Sequence, residues 1–282
     1  MNVRTVTVLG AGTMGHGIAH AAAVAGYETR LFDVSDVQLE KAWSQIAGIL
    51  NKAVEMGKSS SAEADAALRR LLISSDIDRA LDGVDLVIEA APERIDLKLH
   101  LFEDIERAAP PTAIVGTNTS ALSITEMAGS LATPGRVAGM HFFNPVHKMK
   151  LVEIVRALES SEETLETIEA VARQMGKETV LVREAPGFIT TRVNASIGNE
   201  AFYMLMEGVA SARDIDKALK LGLNHPMGPF ELVDLVGLDT RLSILEYLHR
   251  SMGEKYRPCP LLVQYVKAGR LGRKVGRGVY DY

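Results

Sequence analysis

Along the first two thirds of the chain, short β-branched or apolar runs alternate with longer stretches in which apolar residues recur at helical spacing. Thr5-Val6-Thr7-Val8-Leu9 reads as a strand that ends at a glycine, residues 14–25 as a small-residue helix, and residues 28–32 as a second strand. Residues 36–72 carry two helical patterns parted by the turn-like Gly57-Lys58-Ser59-Ser60-Ser61, so a helical hairpin is expected before the sheet resumes. Further strand-like runs lie at 86–88, 113–115, 137–140, 151–155 and 179–182, with helical stretches near 95–108, 123–130 and 162–175. Strands alternating with helices predict an α/β fold with a Rossmann-type, mostly parallel, doubly wound sheet. After Ala185-Pro186-Gly187 the alternation stops, and 190–209, 213–221, 229–250 and 260–268 all read as helices. The expected division is a sheet domain over 1–185 and an all-helical C-terminal domain over 186–282.

Charge narrows the partners. Lys plus Arg number 31 against 36 Asp plus Glu, and a net charge of −5 gives no global attraction to nucleic acid or to an anionic membrane. An anionic ligand must then be held by a local site. The single cysteine, Cys259, lies between Pro258 and Pro260 and supports neither a disulfide framework nor a Cys-based metal site. Met1-Asn2-Val3-Arg4 runs into the first strand with no room for the apolar stretch of a signal peptide, and no run of about 18 apolar residues suggests a membrane span. A cytoplasmic protein is expected.

Two segments carry candidate chemistry. Gly10-Ala11-Gly12-Thr13-Met14-Gly15 follows a predicted strand and opens a helix. Its first glycine permits the tight turn, its second lets backbone approach a pyrophosphate, and its third lets helix pack on strand. The helix N-terminus then presents N–H groups and a positive dipole end to the phosphates. Asp33, at the end of the second strand, is suited to accept hydrogen bonds from ribose hydroxyls and to repel a 2′-phosphate, which points to NAD as cofactor. His16 and His20 belong by pattern to the surface or packing of the helix. Gly139-Met140-His141-Phe142-Phe143-Asn144-Pro145 places His141 at the C-terminal end of a strand, where ligands bind in open α/β sheets. Glu153 interrupts an otherwise apolar run, as a buried and paired carboxylate would, and could orient the imidazole of an acid/base. From pattern alone, a purely structural histidine is equally open.

Ordered matches then extend across the chain: GAGTMG at 10–15, VIEAAPER at 87–94, NTSALSI at 118–124, HFFNP at 141–145, MKLVE at 149–153, EAPGF at 184–188, HPMGPFEL at 225–232 and LGRKVGRGVYDY at 271–282. In these motifs the sequence resembles the short-chain L-3-hydroxyacyl-CoA dehydrogenases, most nearly the bacterial 3-hydroxybutyryl-CoA dehydrogenases. The resemblance implies that His141 is the acid/base and Glu153 its partner. It implies that Ser120 and Asn144 organise the substrate oxygen and the nicotinamide, and that Glu93, Lys98 and Lys274 line the cofactor site. By its residue type alone Lys98 could equally be a surface lysine of a helix. Lys52 and Lys58 lie in the hairpin that in the family rests against CoA, where cations could serve its phosphates; the alternative is an ordinary solvated face.

Two positions depart from the family pattern. Thr191 stands where relatives commonly carry Asn, exchanging an amide for a shorter hydroxyl among the expected substrate contacts. His147-Lys148 makes the loop after His141 more basic, though His147, lying in the loop, is not a second base of equal weight. The resemblance implies reversible NAD-dependent oxidation of a short-chain L-3-hydroxyacyl-CoA by a homodimer that needs no metal. The competing readings are a hydroxyadipyl-CoA or gulonate dehydrogenase of the same architecture, and a nonenzymatic, crystallin-like nucleotide binder.

Overall fold

In a computed structural model, which describes residues 2–282, the chain divides into two compact units that meet at Glu184 and Ala185. The first opens with β1 (Thr5–Leu9), α1 (Gly15–Val24), β2 (Glu28–Phe32), α2 (Asp36–Glu55), α3 (Ser61–Arg70) and β3 (Leu71–Ser74). It continues through α4 (Ile77–Leu81), β4 (Leu86–Glu89), α5 (Ile95–Ala108), β5 (Ile114–Thr117), α6 (Ile124–Ala128) and β6 (Val137–Phe142). The unit ends with β7 (Leu151–Arg156), α7 (Glu162–Gln174) and β8 (Glu178–Arg183). The strands form one sheet in the order β3-β2-β1-β4-β5-β6-β7-β8. Pairing is parallel from β3 to β6, antiparallel between β6 and β7, and parallel again between β7 and β8. This is the expected Rossmann-type sheet, with the order reversing between β1 and β4.

The inserted hairpin is part of the core. Leu39, Ala42, Ile46 and Leu50 of α2 and Ala64 and Ala67 of α3 are buried in the same apolar cluster as Val6, Val8 and Ile18. The Ser60 side chain accepts from the Glu63 N–H while Glu63 accepts from the Ser60 N–H, a reciprocal cap that starts α3 at a defined residue. One expectation is corrected here. Leu71 and Leu72 do not continue a helix but begin β3, an edge strand paired only with β2. Its four residues are too few to show a period of their own, and they extend the helical spacing of α3.

The second unit is helical: α8 (Thr190–Met206), α9 (Ala212–Gly222), α10 (Pro229–Val236), α11 (Leu238–Met252) and α12 (Pro260–Lys267). Phe202, Phe230, Leu245 and Leu248 anchor its core, with the Phe202 and Phe230 rings edge to face at 5.2 Å. The single helix expected over 229–250 is broken at Gly237, whose φ of 105° belongs to no helix. A Cβ there would stand 2.8 Å from Asp239 Oδ1, so the break also leaves space for a side-chain contact. No helix among the described residues is long and apolar enough to cross a membrane.

Candidate active site

The glycines of the first turn do three different things. Gly10 takes φ 104° and lies so close to the loop after β4 that a Cβ would fall 2.8 Å from the Ala90 carbonyl oxygen. A Cβ on Gly15 would sit 1.7 Å from the Gly10 carbonyl oxygen, which only glycine tolerates. A Cβ on Gly12 would meet nothing within 4 Å, so the second glycine faces open space where a phosphate could approach backbone. Thr13 and Met14 complete the turn, and no side chain caps α1, so the positive end of the helix is left to a phosphate.

Asp33 closes the other side. Its Oδ2 accepts from the Ala11 N–H at 2.9 Å and its Oδ1 from the Ser35 N–H at 3.0 Å, which holds the carboxylate against the glycine turn. A carboxylate offers about four lone-pair sites, so both oxygens retain acceptor capacity for ribose hydroxyls. The residues present therefore fit a dinucleotide: a Cβ-free cradle, an uncapped helix terminus and an anchored acceptor.

His141 and Glu153 are direct cross-strand partners on β6 and β7. The antiparallel junction, set in an otherwise parallel sheet, places their side chains on the same face. His141 Nδ1 lies 2.7 Å from Glu153 Oε2, with His141 5% exposed and Glu153 0% exposed. The Phe143 ring packs on the imidazole with centroids 4.6 Å apart. With the carboxylate on Nδ1, the neutral ring carries its proton there and presents Nε2 as the basic nitrogen.

A second polar network organises the ends of β4 and β5. Lys98 is 0% exposed and donates to Glu89 Oε1 at 2.7 Å, to Glu89 Oε2 at 2.8 Å and to the Ala91 carbonyl at 3.3 Å. The surface-lysine alternative is thus corrected: the side chain runs inward because Glu89, itself fully buried, needs a cation. Thr117 Oγ1 and the Ala91 N–H also donate to Glu89, at 2.6 and 2.7 Å. Glu93 Oε2 lies 3.6 Å from the same ammonium, and its Oε1 accepts from the Ser120 N–H and Thr119 Oγ1, each at 2.7 Å. Asn118 Oδ1 accepts from the Phe142 N–H at 2.8 Å, tying the Ser120 loop to the strand of His141. Asn144 follows in the exposed loop beyond β6, at the same sheet edge as Ser120, because β5 and β6 run parallel.

Sequence reasoning missed Glu89, Asn118 and Glu184. Glu184 caps α6, accepting from Ser123 Oγ at 2.9 Å and from the Ile124 N–H at 2.8 Å. The signal for Glu89 was a carboxylate ending an all-apolar strand, the same signal that marked Glu153. The remaining expected residues are carried by other elements. Lys52, near the end of α2, and Lys58, in the turn after it, are exposed on the hairpin. In the helical unit, Thr191 lies half-buried in the first turn of α8. Lys274 Nζ stands 2.6 Å from both oxygens of Asp239.

Among the other histidines, His20 is buried on α1 and its pKa falls to about 4, through burial first and then through the charges of His147, His16 and Lys177. It is a neutral packing residue, as its place in the helix suggests.

The family model described as the 3-hydroxyacyl-CoA dehydrogenase NAD binding domain matches residues 5–185, and that of the 3-hydroxyacyl-CoA dehydrogenase C-terminal domain matches residues 187–282. A probable 3-hydroxybutyryl-CoA dehydrogenase of Bacillus subtilis is 47% identical over 100% of this chain and 98% of its own length. The 3-hydroxyadipyl-CoA dehydrogenase of Escherichia coli is 43% identical over 100% of this chain and 60% of its own length. The crystal structure of an (S)-3-hydroxybutyryl-CoA dehydrogenase from Ralstonia eutropha superposes with a TM-score of 0.96 at 43% identity, covering 100% of this chain and 99% of that one.

Proposed function

The chain belongs to the 3-hydroxyacyl-CoA dehydrogenase family, and from that premise we propose that it interconverts L-3-hydroxybutyryl-CoA and acetoacetyl-CoA. It is an NAD-dependent oxidoreductase acting on a CH–OH group. The observation that carries the reading is the buried His141–Glu153 pair at the C-terminal edge of a sheet whose first turn fits a dinucleotide.

In the oxidative direction, His141 Nε2 takes the proton of the 3-hydroxyl as the C3–H bond breaks. A bound NAD would supply the acceptor for the hydride that leaves C3. Glu153 holds Nδ1–H and stabilises the imidazolium that forms. Ser120 and Asn144 donate to the oxygen at C3, where negative charge gathers when the ketone is reduced. Glu93 sets the Ser120 loop, and Lys98 sets Glu93 from beneath without reaching the surface. Gly10, Gly12, Thr13, Met14 and Gly15 receive the pyrophosphate and Asp33 the adenosine ribose. Lys52 and Lys58 on the hairpin serve the CoA phosphates, Thr191 serves substrate binding through its hydroxyl, and Lys274, held by Asp239, serves cofactor binding.

Initial rates test the reading. Acetoacetyl-CoA should be reduced with a higher kcat/KM than longer 3-oxoacyl-CoAs or 3-oxoadipyl-CoA, and NADH should outperform NADPH because Asp33 repels a 2′-phosphate. Better rates with 3-oxoadipyl-CoA would move the assignment to the chemistry named for the Escherichia coli relative. No rate with any acyl-CoA would leave the nonenzymatic reading.

The assembly we propose is a homodimer in a reducing, cytoplasmic setting. Leu221 and Leu223 stand exposed at the end of α9, apolar surface of the kind a second copy covers, and Cys259 is buried as a free thiol. Light scattering at assay concentration should give twice the mass of the chain, and an active monomer would refute the dimer.

A further inference from the structure

Residues 143–150 join the strand of His141 to the strand of Glu153 and carry Asn144, and groups outside this loop give it its shape. Lys177, in the turn between α7 and β8, is 8% exposed. Its ammonium donates to the Val146 carbonyl at 2.5 Å and to the Met149 carbonyl at 2.9 Å. Within the loop, the Pro145 carbonyl accepts from the Lys148 N–H at 2.9 Å and from the Met149 N–H at 3.0 Å. The carbonyls of a tight turn thus converge on one buried cation. No carboxylate lies within ion-pairing distance of Lys177 among the described residues. Burying an ammonium without a counter-ion is costly, and burial lowers the pKa of this one. Core packing alone would be better served by methionine or leucine, so the charge has a use in holding those two carbonyls.

The same loop is seated on the cofactor-binding helix. Val146 is 2% exposed, and a Cβ on Gly17 would stand 2.9 Å from both Val146 Cβ and Cγ2. Gly17 lies in the first turn of α1, two residues after Gly15. A glycine inside a helix is unfavourable by about 0.5–1 kcal/mol relative to alanine, and here the Val146 side chain occupies the space that a methyl group would need.

We propose that Lys177 and the Gly17–Val146 contact form a latch that fixes the Asn144 loop to the dinucleotide-binding helix, making Lys177 a positioning residue for the dehydrogenation. The proposal rests on the assigned reaction for its kinetic consequence only; the mechanical coupling stands on the contacts. Occupation of the phosphate cradle at the head of α1 firms the helix turn under Val146, and the loop that presents Asn144 beside His141 firms with it.

The test has two arms. In the first, hydrogen–deuterium exchange of residues 143–150 is followed with and without NADH. The wild-type loop should be protected by NADH, and Lys177→Met should lose most of that protection while the strands keep theirs. Equal protection in both proteins, or none in the wild type, would overturn the latch, and this arm needs no turnover.

The second arm is kinetic. Lys177→Met and Gly17→Ala should each lower kcat for acetoacetyl-CoA reduction roughly 10- to 100-fold, the scale of an ångström misplacement, with a much smaller change in NADH affinity. Gly17→Ala/Val146→Ala, which restores the space, should recover most of the loss. A double variant no better than Gly17→Ala would also overturn the proposal, and this pair keeps the test open should Lys177→Met fail to fold. An inactive wild type would count against the assigned reaction, with the exchange arm still deciding the latch.

Discussion

His141→Gln should lower the turnover of acetoacetyl-CoA reduction by roughly 10²–10⁴-fold, the usual worth of a positioned acid/base, and leave NADH affinity nearly unchanged. Glutamine keeps a polar group within reach of Glu153 but can neither take up nor release a proton near neutral pH. The separation of effects follows from the sheet: the dinucleotide cradle is built by β1, α1 and the end of β2, whereas the imidazole hangs from β6. Glu153→Gln should cost less, because the histidine survives and only its orientation and the stabilisation of its cationic form are weakened. Stopped-flow reduction with saturating NADH, paired with NADH fluorescence titration, reads both quantities. Near-normal turnover in the His141 variant would make the pair structural, the alternative that the sequence pattern leaves open.

Lys98→Met should destabilise the sheet unit by ~3–5 kcal/mol, the cost of leaving one partner of a buried ion pair uncompensated. Methionine has nearly the volume of lysine, so packing is kept and the lost interaction is the charge. Glu89 would then lie fully buried with only Thr117 Oγ1 and the Ala91 N–H donating to it. A second change, Glu89→Gln, removes the stranded charge, and the double variant should regain a substantial part of the loss. Chemical denaturation followed by far-UV circular dichroism measures all three. A single variant within about 1 kcal/mol of wild type would show that the pair contributes little more than an apolar substitute would. Activity should also fall in Lys98→Met, since Glu93 and the Ser120 loop lose the cation beneath them.

Period and punctuation made most of the sheet unit legible. Val6 and Val8 alternate with threonines, Gly10 marks where β1 hands over to α1, and a carboxylate within an apolar run announced Glu153. Where an element was short, its signal vanished into its neighbour: β3 has four residues and follows α3 without a break. Gly237 broke a helix that periodicity carried through, because apolar spacing records which face is buried and not whether the backbone between two such faces stays helical. The role of Lys98 was illegible for a related reason. A lysine on a helix faces inward only if something buried needs its charge, and that partner, Glu89, lies on another element.

By itself the sequence determined what local chemistry dictates: the glycine spacing that bares a helix terminus, the acidic end of β2, the strand-ending histidine and the change from alternating to all-helical texture at Ala185. Those features depend on residues near one another in the chain, so composition and spacing are enough to reveal them. Only the tertiary structure decided that β7 turns antiparallel to β6 and so brings Glu153 to His141, that Lys98 points into the protein, and that Lys177 and Gly17 grip the loop of Asn144. Each is a meeting of side chains from different elements, set by strand order and direction, and no periodicity within one element encodes its neighbour across the sheet.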